Sequence, residues 1–193
     1  MAKVLIGCEF SGVVRDEFRK LGHDAYSCDV LPTENNPEHH IQGDVRLVLH
    51  EDWDLGIFFP PCTHLCVSGA RWFKEKTVVQ QDALDFVARL LLSPIPKIAI
   101  ENPVGIISTK IRKPDQIIQP YEYGHEETKK TCLWLKGLPK LTPTKIMECR
   151  DRNLTPSGQN KLAPSDTRWM ERSRTYQGIA SAMAQQWGDL TNG

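Results

Sequence analysis

The chain has 193 residues, of which 40% are hydrophobic and 25% are charged, and its 24 lysines and arginines balance 24 aspartates and glutamates. A composition of this kind is typical of one globular domain, and the length excludes two full catalytic domains. We therefore expect a single domain over residues 1–193.

Neither the apolar runs nor the cysteines indicate a membrane or secreted protein. No apolar run is longer than four residues, whereas a membrane-spanning helix needs about 20. The six cysteines are scattered along the chain, as the free thiols of a reducing compartment are. We expect a cytoplasmic protein without membrane contact, in which a special cysteine is a nucleophile or a ligand.

Charge is unevenly distributed, although the total is zero. Residues 1–108 carry 10 basic and 15 acidic side chains, whereas residues 109–175 carry 14 basic and 8 acidic ones. Because nucleic acids attract basic surfaces through their phosphates, we expect any phosphate contact in the second half of the chain.

The first part of the chain alternates strand and helix patterns. Residues 3–8 form an apolar, β-rich run, and residues 12–21 carry apolar side chains at helical spacing. Residues 24–29 and 55–59 are further strand candidates, and two prolines stop the second of them. This alternation predicts an α/β fold with a mostly parallel sheet and flanking helices.

The rest of the chain shows one helix pattern and one strand pattern, then a segment without a sustained period, and a last helix pattern. Residues 77–92 show a wide apolar helix face, and residues 97–101 form a buried strand candidate. Residues 138–168 are rich in Pro, Thr, Ser, Asn and Gly without a sustained period, which predicts a loop-rich segment. An alanine-rich helix is predicted over residues 176–187.

The segment 59–69 is the most informative, because it follows a buried strand. Ligands gather at the carboxyl ends of strands in open α/β sheets, and Pro60 and Pro61 stiffen the loop that presents Cys62. Cys62 is thus a candidate nucleophile, with an inert cysteine in a proline-rich turn as the alternative.

The same segment raises two other hypotheses. Cys62, His64 and Cys66 resemble zinc ligands, but no second pair at comparable spacing completes a site, and we expect no metal. The hypothesis of a thiol enzyme that uses Cys62 with His64 as its base is weak, because two side chains only two residues apart on a loop are poorly placed to act as a nucleophile and its base.

A second candidate, Glu101, directly follows the buried run at 97–100. A carboxylate at a strand end is partly desolvated, which raises its pKa and lets it donate a proton near neutrality. The alternative is a helix-entry cap, with Asn102 before Pro103. Together, a Cys62 thiolate can add to carbon 6 of a pyrimidine while a Glu101 carboxyl hydrogen-bonds ring nitrogen N3, so that carbon 5 can accept a methyl group.

Such chemistry needs a methyl donor and hence a nucleoside pocket. The turn at 7–14 lacks the G-x-G-x-x-G phosphate signature, and a single glycine, Gly12, with the aromatic Phe10 suits an adenosyl group better than a pyrophosphate. Asp29 is placed to accept ribose hydroxyls, and Asp44 to accept the adenine amino group. For each acid the alternative is a solvated turn residue.

The order of these motifs resembles that of the cytosine-C5 DNA methyltransferases, over most of the chain. The matching segments are Phe10-Ser11-Gly12, Asp29, Gly43-Asp44-Val45, Pro61-Cys62, Glu101-Asn102-Pro103 and residues 174–180. The resemblance implies a Rossmann-like methyltransferase fold, S-adenosylmethionine as donor, and DNA as the partner whose cytosine is flipped out of the stack.

The resemblance also implies roles for individual residues. Cys62 would form the covalent adduct with cytosine, and Glu101 would assist it. The implied cofactor-binding residues are Phe10, Ser11, Gly12, Asp29, Asp44, Pro61 and Gly178. The implied substrate-binding residues are Asn102, Lys129, Thr131 and Ser68.

The chain departs from the family pattern in three places. Thr63 replaces the family's Gln after Pro-Cys, and Ser68 stands in for a later serine that aligns with Cys66. In the basic motif, Lys129 and Thr131 replace two arginines, and lysine keeps the charge but not the planar fork.

The third departure is the small size of the recognition region, for which only the loop-rich residues 136–174 are available. This compact segment indicates a relaxed or short-site specificity. The substrate alternatives are a single-stranded nucleic acid or a free cytidine nucleotide, and the alternative to an enzyme is a non-catalytic module that binds nucleic acid or cofactor.

Overall fold

The computed structural model describes residues 1–66, 77–148, 165 and 168–191. Its centre is a seven-stranded sheet in the order β3-β2-β1-β4-β5-β7-β6. The strands are β1 (Lys3–Gly7), β2 (Asp24–Asp29), β3 (His40–Gln42), β4 (Leu55–Phe58), β5 (Lys97–Pro103), β6 (Gln116–Ile118) and β7 (Thr131–Lys136).

The first five strands are parallel, and β7 pairs antiparallel with β5 and β6. Phe58 of β4 lies beside Ile100 of β5, so the chain leaves both strands at the same edge of the sheet. In an open α/β sheet, this edge collects ligands. The segment that contains Cys62 and the residue Glu101 therefore meet there.

Helices cover both faces of the sheet. The helices are α1 (Val13–Lys20), α2 (Thr77–Leu91), α3 (Ile107–Lys110), α4 (Arg168–Ser173) and α5 (Gln177–Gly188). On one face, Phe18 of α1 and Trp187 of α5 share a core cluster with Ile57 of β4. On the other, Leu90 of α2 packs with Phe58 and Trp134. Burial of these apolar side chains is the main stabilising contribution to the fold.

The α/β architecture and its main elements confirm the predictions from the sequence. β2 has its expected bounds, and the bounds of β1, β4, α2 and α5 are within a residue or two of those expected. Two edge strands, β3 and β6, were not predicted, because three residues are too few to show a period. Residues 138–148 contain no helix or strand, as expected for the loop-rich region, and residues 149–164 lie outside the described residues. At the end of this region the prediction is wrong, because α4 occupies Arg168–Ser173.

None of the helices in the described part of the chain is both long and apolar enough to cross a membrane. The five described cysteines, Cys8, Cys28, Cys62, Cys66 and Cys132, are free thiols.

Candidate active site

The loop after β4 presents a partly exposed thiol. Pro60 is buried, Pro61 is exposed and Cys62 lies between the two extremes. The backbone N–H groups of Leu65 and Cys66 both donate to the Cys62 carbonyl oxygen at 3.0 Å, which closes a tight turn directly after the thiol. Cys62 is thus held at the start of a turn.

Strand β5 and the loop after it fix this turn in place. The Asn102 Nδ2 amide donates to the Pro60 carbonyl oxygen at 2.8 Å, and the Ile106 N–H donates to the Leu65 carbonyl oxygen at 2.8 Å. A Cβ on Gly105 would lie 2.0 Å from the Leu65 oxygen, so only glycine allows this approach. The loop from Pro60 to Cys66, which we call the thiol loop, and strand β5 with Glu101 are therefore held together as one unit.

Within this unit, the charges of Cys62, Glu101 and Lys129 act on one another. Partial burial raises the pKa of the Cys62 thiol, and the Cys66 and Glu101 anions raise it further, whereas Lys129 lowers it. Burial also raises the pKa of the Glu101 carboxyl, and Lys129 lowers it. Proton loss from Cys62 and proton retention on Glu101 therefore favour each other, with Lys129 as the nearby positive charge.

Lys129 is held by the carboxyl-terminal part of the chain. Its Nζ donates to the Arg172 carbonyl oxygen at 3.1 Å and lies 5.6 Å from the centre of the Tyr176 ring. Its backbone N–H donates to Gln119 Oε1 at 2.9 Å. The hydroxyl of Thr131, which is buried, donates to the Lys129 carbonyl oxygen at 3.1 Å. Thr131 supports the backbone that carries Lys129.

Asn102 is 1% exposed, and its carboxamide Oδ1 is buried without a hydrogen-bond partner. Because side chains alternate along a strand, Asn102 and Glu101 point to opposite faces of the sheet. The structure thus places Asn102 beneath the thiol loop. Ser68, the other substrate-binding candidate of this loop, lies outside the described residues.

The second candidate region surrounds the turn after β1. Phe10 is 5% exposed, and its ring meets that of Trp169 edge-on, with centroids 6.1 Å apart. Gly12 has φ 71°, in the left-handed region that favours glycine. Ser11 is buried, and its hydroxyl lies 3.5 Å from Glu9 Oε1. Phe10, Ser11 and Gly12 together form a compact turn between β1 and α1.

Asp29 and Asp44, the two acids expected to bind the cofactor, both lie near this turn, but they differ in their partners. Both carboxylates raise the pKa of the Cys8 thiol, after the larger effect of burial, so both lie near the end of β1. Asp29 is partly buried, and its Oδ1 accepts the Leu31 N–H at 2.9 Å. Asp44 instead accepts both the backbone N–H of Arg46 and its guanidinium Nε, each at 2.9 Å.

The carboxyl-terminal helices close this region from the other side. Besides the Trp169 contact, the Arg174 guanidinium pairs with Glu34 in the loop after β2. Gly178, at the start of α5, packs so tightly that a Cβ would lie 1.8 Å from the Tyr123 carbonyl oxygen. Its N–H donates to His125 Nε2 at 3.0 Å. Gly178 thus fastens α5 to the segment before Lys129.

Two buried charged residues of this region were not predicted from the sequence, Glu9 and Arg15. The Arg15 side chain is fully buried, and its guanidinium donates to Asp16 Oδ1, to Ser27 Oγ and to the Asn35 carbonyl oxygen at 2.8 to 2.9 Å. It ties α1 to β2 and to the loop that follows Asp29. The sequence indicates only that Glu9 is an acidic residue close to the end of an apolar strand, and it does not indicate the partners of Glu9.

No cluster of three or more His, Cys, Asp or Glu side chains suited to a metal ion occurs among the residues that the structure describes.

Comparison with known proteins supports the fold but not a family. No protein-family model and no curated protein matches the sequence. A solved methyltransferase structure from Entamoeba histolytica matches with a TM-score of 0.52 at 14% identity, over 86% of this chain and 64% of that chain. An E. coli prophage-encoded structure, named as a DNA modification methyltransferase, matches with a TM-score of 0.45 at 15% identity, over 76% of this chain and 52% of that chain.

The chain therefore spans between about half and two thirds of the length of these solved structures. The strand order and the likeness to the Entamoeba histolytica structure confirm the fold class expected from the sequence, a Rossmann-like methyltransferase fold with a mostly parallel sheet.

Proposed function

We propose that the chain is an S-adenosylmethionine-dependent methyltransferase that methylates carbon 5 of cytosine in DNA through a covalent Cys62 adduct. The observation that carries this proposal is the meeting of Cys62 and Glu101 at the ends of β4 and β5, where Lys129 acts on both. A thiol and a carboxyl coupled in this way match the two groups that pyrimidine methylation at carbon 5 requires.

The residues around the β1 turn fit the proposed cofactor. Asp29 offers a partly buried carboxylate at a strand end to ribose hydroxyls, and Gly12 allows the close turn beside Phe10. Ser11, Pro61 and Gly178 complete the proposed cofactor region. When bound, S-adenosylmethionine would supply an electrophilic methyl group and leave as S-adenosylhomocysteine. The raised pKa values of Cys8 and Cys28, the latter about 12, keep these thiols neutral there.

In the proposed reaction, Cys62 Sγ forms a bond to carbon 6, and the electron pair of the 5,6 double bond moves towards carbon 5. Glu101 donates its proton in a hydrogen bond to N3, which stabilises the charge that develops on the ring. Lys129 favours the Cys62 thiolate before the addition. Once carbon 5 carries the methyl group, it would lose its proton to solvent water, and the electron pair of that C–H bond would re-form the 5,6 double bond as the Sγ–C6 bond breaks. Cys62 then leaves as the thiolate, and the proton at N3 returns to Glu101.

The choice of DNA rests on the resemblance of the motifs to the cytosine-C5 DNA methyltransferases. The basic excess of residues 109–175 supports phosphate contact. We propose that residues 136–174 form the reduced target-recognition segment of a single domain, and that Lys129, Thr131 and Asn102 act around the flipped base, the last two by supporting their loops.

A methyl-transfer assay tests the proposal. Tritiated S-adenosylmethionine is offered with double-stranded DNA, single-stranded DNA, RNA and free cytidine nucleotides in parallel. We expect label in double-stranded DNA, recovered as 5-methylcytosine. Cys62→Ala should abolish transfer because no other described thiol sits at the end of β4, while S-adenosylhomocysteine binding stays within about twofold, since the cofactor region is separate.

Cys66→Ala is the matched control, because it removes a thiol one turn further along the same loop and should keep most of the activity. Label that persists in Cys62→Ala would exclude the covalent mechanism. Label found only in a nucleotide or a single strand would keep the chemistry and change the substrate. Cofactor binding without label in any arm would favour the non-catalytic module.

A further inference from the structure

The turn between β1 and α1 contains a buried carboxylate that the proposed reaction does not use. Glu9 is 5% exposed. Its Oε1 accepts the Val14 N–H at 2.7 Å, and its Oε2 accepts the Arg15 N–H at 3.3 Å. Gly12, at the N-cap position of α1, has no side chain to offer these groups. Glu9 therefore caps the helix from across the turn.

This contact occupies the donors that a phosphate would otherwise use. Free N–H groups at the start of a helix bind anions, as pyrophosphate binds in dinucleotide folds. Here the carboxylate takes two of these groups and adds a negative charge beside them. The turn is thus suited to a nucleoside cofactor that carries no phosphate at this point, in agreement with the missing G-x-G-x-x-G signature.

We propose that Glu9 is a positioning residue of the cofactor turn, whose ionised carboxylate holds the first turn of α1 in the shape that binds the cofactor. The inference rests on the proposed S-adenosylmethionine site. Its geometric basis is the pair of backbone contacts, which join the end of β1 to α1 around Phe10, Ser11 and Gly12.

The surroundings of Glu9 make its ionisation sensitive to pH. Burial raises its pKa to about 7, although the backbone hydrogen bonds and the positive charge of Arg15 lower it, and Asp16 raises it. Neighbouring Cys8 and Cys28 stay neutral, since burial raises their pKa values. His40 of β3 is linked to Arg15 through the Ser27 hydroxyl, which contacts both side chains. Near neutrality, Glu9 therefore gains or loses the charge that strengthens the cap.

The test compares wild type with Glu9→Gln, which keeps an acceptor but cannot ionise, and with Glu38→Gln, which removes an exposed carboxylate elsewhere. Binding of S-adenosylhomocysteine is measured by calorimetry between pH 6 and pH 8. In wild type and Glu38→Gln, we expect affinity about tenfold weaker at pH 6 than at pH 8, because protonation weakens both backbone contacts. In Glu9→Gln, affinity should be low throughout and change less than about twofold.

A second measurement needs no cofactor. Hydrogen-exchange protection factors of the Val14 and Arg15 amides should fall from pH 8 to pH 6 in wild type and stay low in Glu9→Gln. A wild-type pH profile in Glu9→Gln, in affinity and protection, would overturn the inference. Wild type that binds no S-adenosylhomocysteine at any pH, with pH-dependent protection intact, would instead overturn the proposed cofactor and leave the Glu9 contact established.

Discussion

Buried charge is compensated differently at the two ends of the proposed reaction site. Around the proposed cofactor turn, Glu9 and Arg15 are buried and hydrogen-bonded to partners from α1, β2 and the following loop. At the ends of β4 and β5, burial raises the pKa values of Cys62 and Glu101, and the charge of Lys129 is what opposes it. The first region is organised before any ligand arrives, whereas the second holds desolvated groups for a substrate to engage.

Arg15→Met is expected to have the largest effect, because it breaks the organised region. The substitution keeps much of the volume but removes the buried guanidinium from Ser27 Oγ and the Asn35 carbonyl oxygen, which keep their contacts with His40 and Thr33. We expect the free energy of unfolding to fall by roughly 3 kcal/mol or more, as measured by urea denaturation.

Arg19→Met serves as its control on the same helix, since Arg19 keeps considerable exposure and makes a 3.2 Å contact with the Ala25 carbonyl oxygen. Its loss should cost less than about 1 kcal/mol. Equal effects of the two substitutions would contradict the view that the cofactor side depends on buried, paired charge.

Glu101→Gln tests the other region and should separate activity from stability. Methyl transfer should slow by a factor on the order of 10², about 2.7 kcal/mol, because the amide cannot donate an acid proton to N3. The free energy of unfolding, in contrast, should not fall at pH 8. A carboxyl whose folded pKa is raised stabilises the fold below its unfolded pKa, and that contribution is lost as pH rises through the folded pKa.

At pH 8, therefore, Glu101→Gln should be as stable as wild type or more so, and the difference should shrink towards pH 4. Urea denaturation at the two pH values measures it. A variant that loses both activity and stability at pH 8 would show that Glu101 is a structural residue, and that the two regions do not differ in the way described.

The contrast also explains which parts could be predicted from the sequence. Cys62 and Glu101 could be predicted because both lie close to the carboxyl end of a buried apolar run, Cys62 in the loop after β4 and Glu101 within the last part of β5, and parallel strands end at one edge. The burial of Arg15 could not be predicted, because it depends on how the loop around Thr33 and Asn35 folds over α1. Glu9 was missed because its partners are backbone amides, which leave no pattern in the side chains.

Asp29 and Asp44 give the smallest and most selective comparison. Both were predicted to bind cofactor, but Asp44 is already paired with Arg46 through its side chain and backbone, whereas Asp29 makes backbone contacts and stays partly buried. Asp29→Asn should weaken S-adenosylhomocysteine binding by about 1–2 kcal/mol, because an amide oxygen replaces a charged acceptor of hydroxyl groups.

Asp44→Asn should change that binding by less than about 0.5 kcal/mol, because the carboxylate it removes is engaged by Arg46 at the surface. Calorimetry at pH 8 measures both variants under conditions in which Glu9 is ionised. Equal losses would mean that the cofactor draws Asp44 away from Arg46, so that the region around the β1 turn would rearrange on binding instead of being organised beforehand.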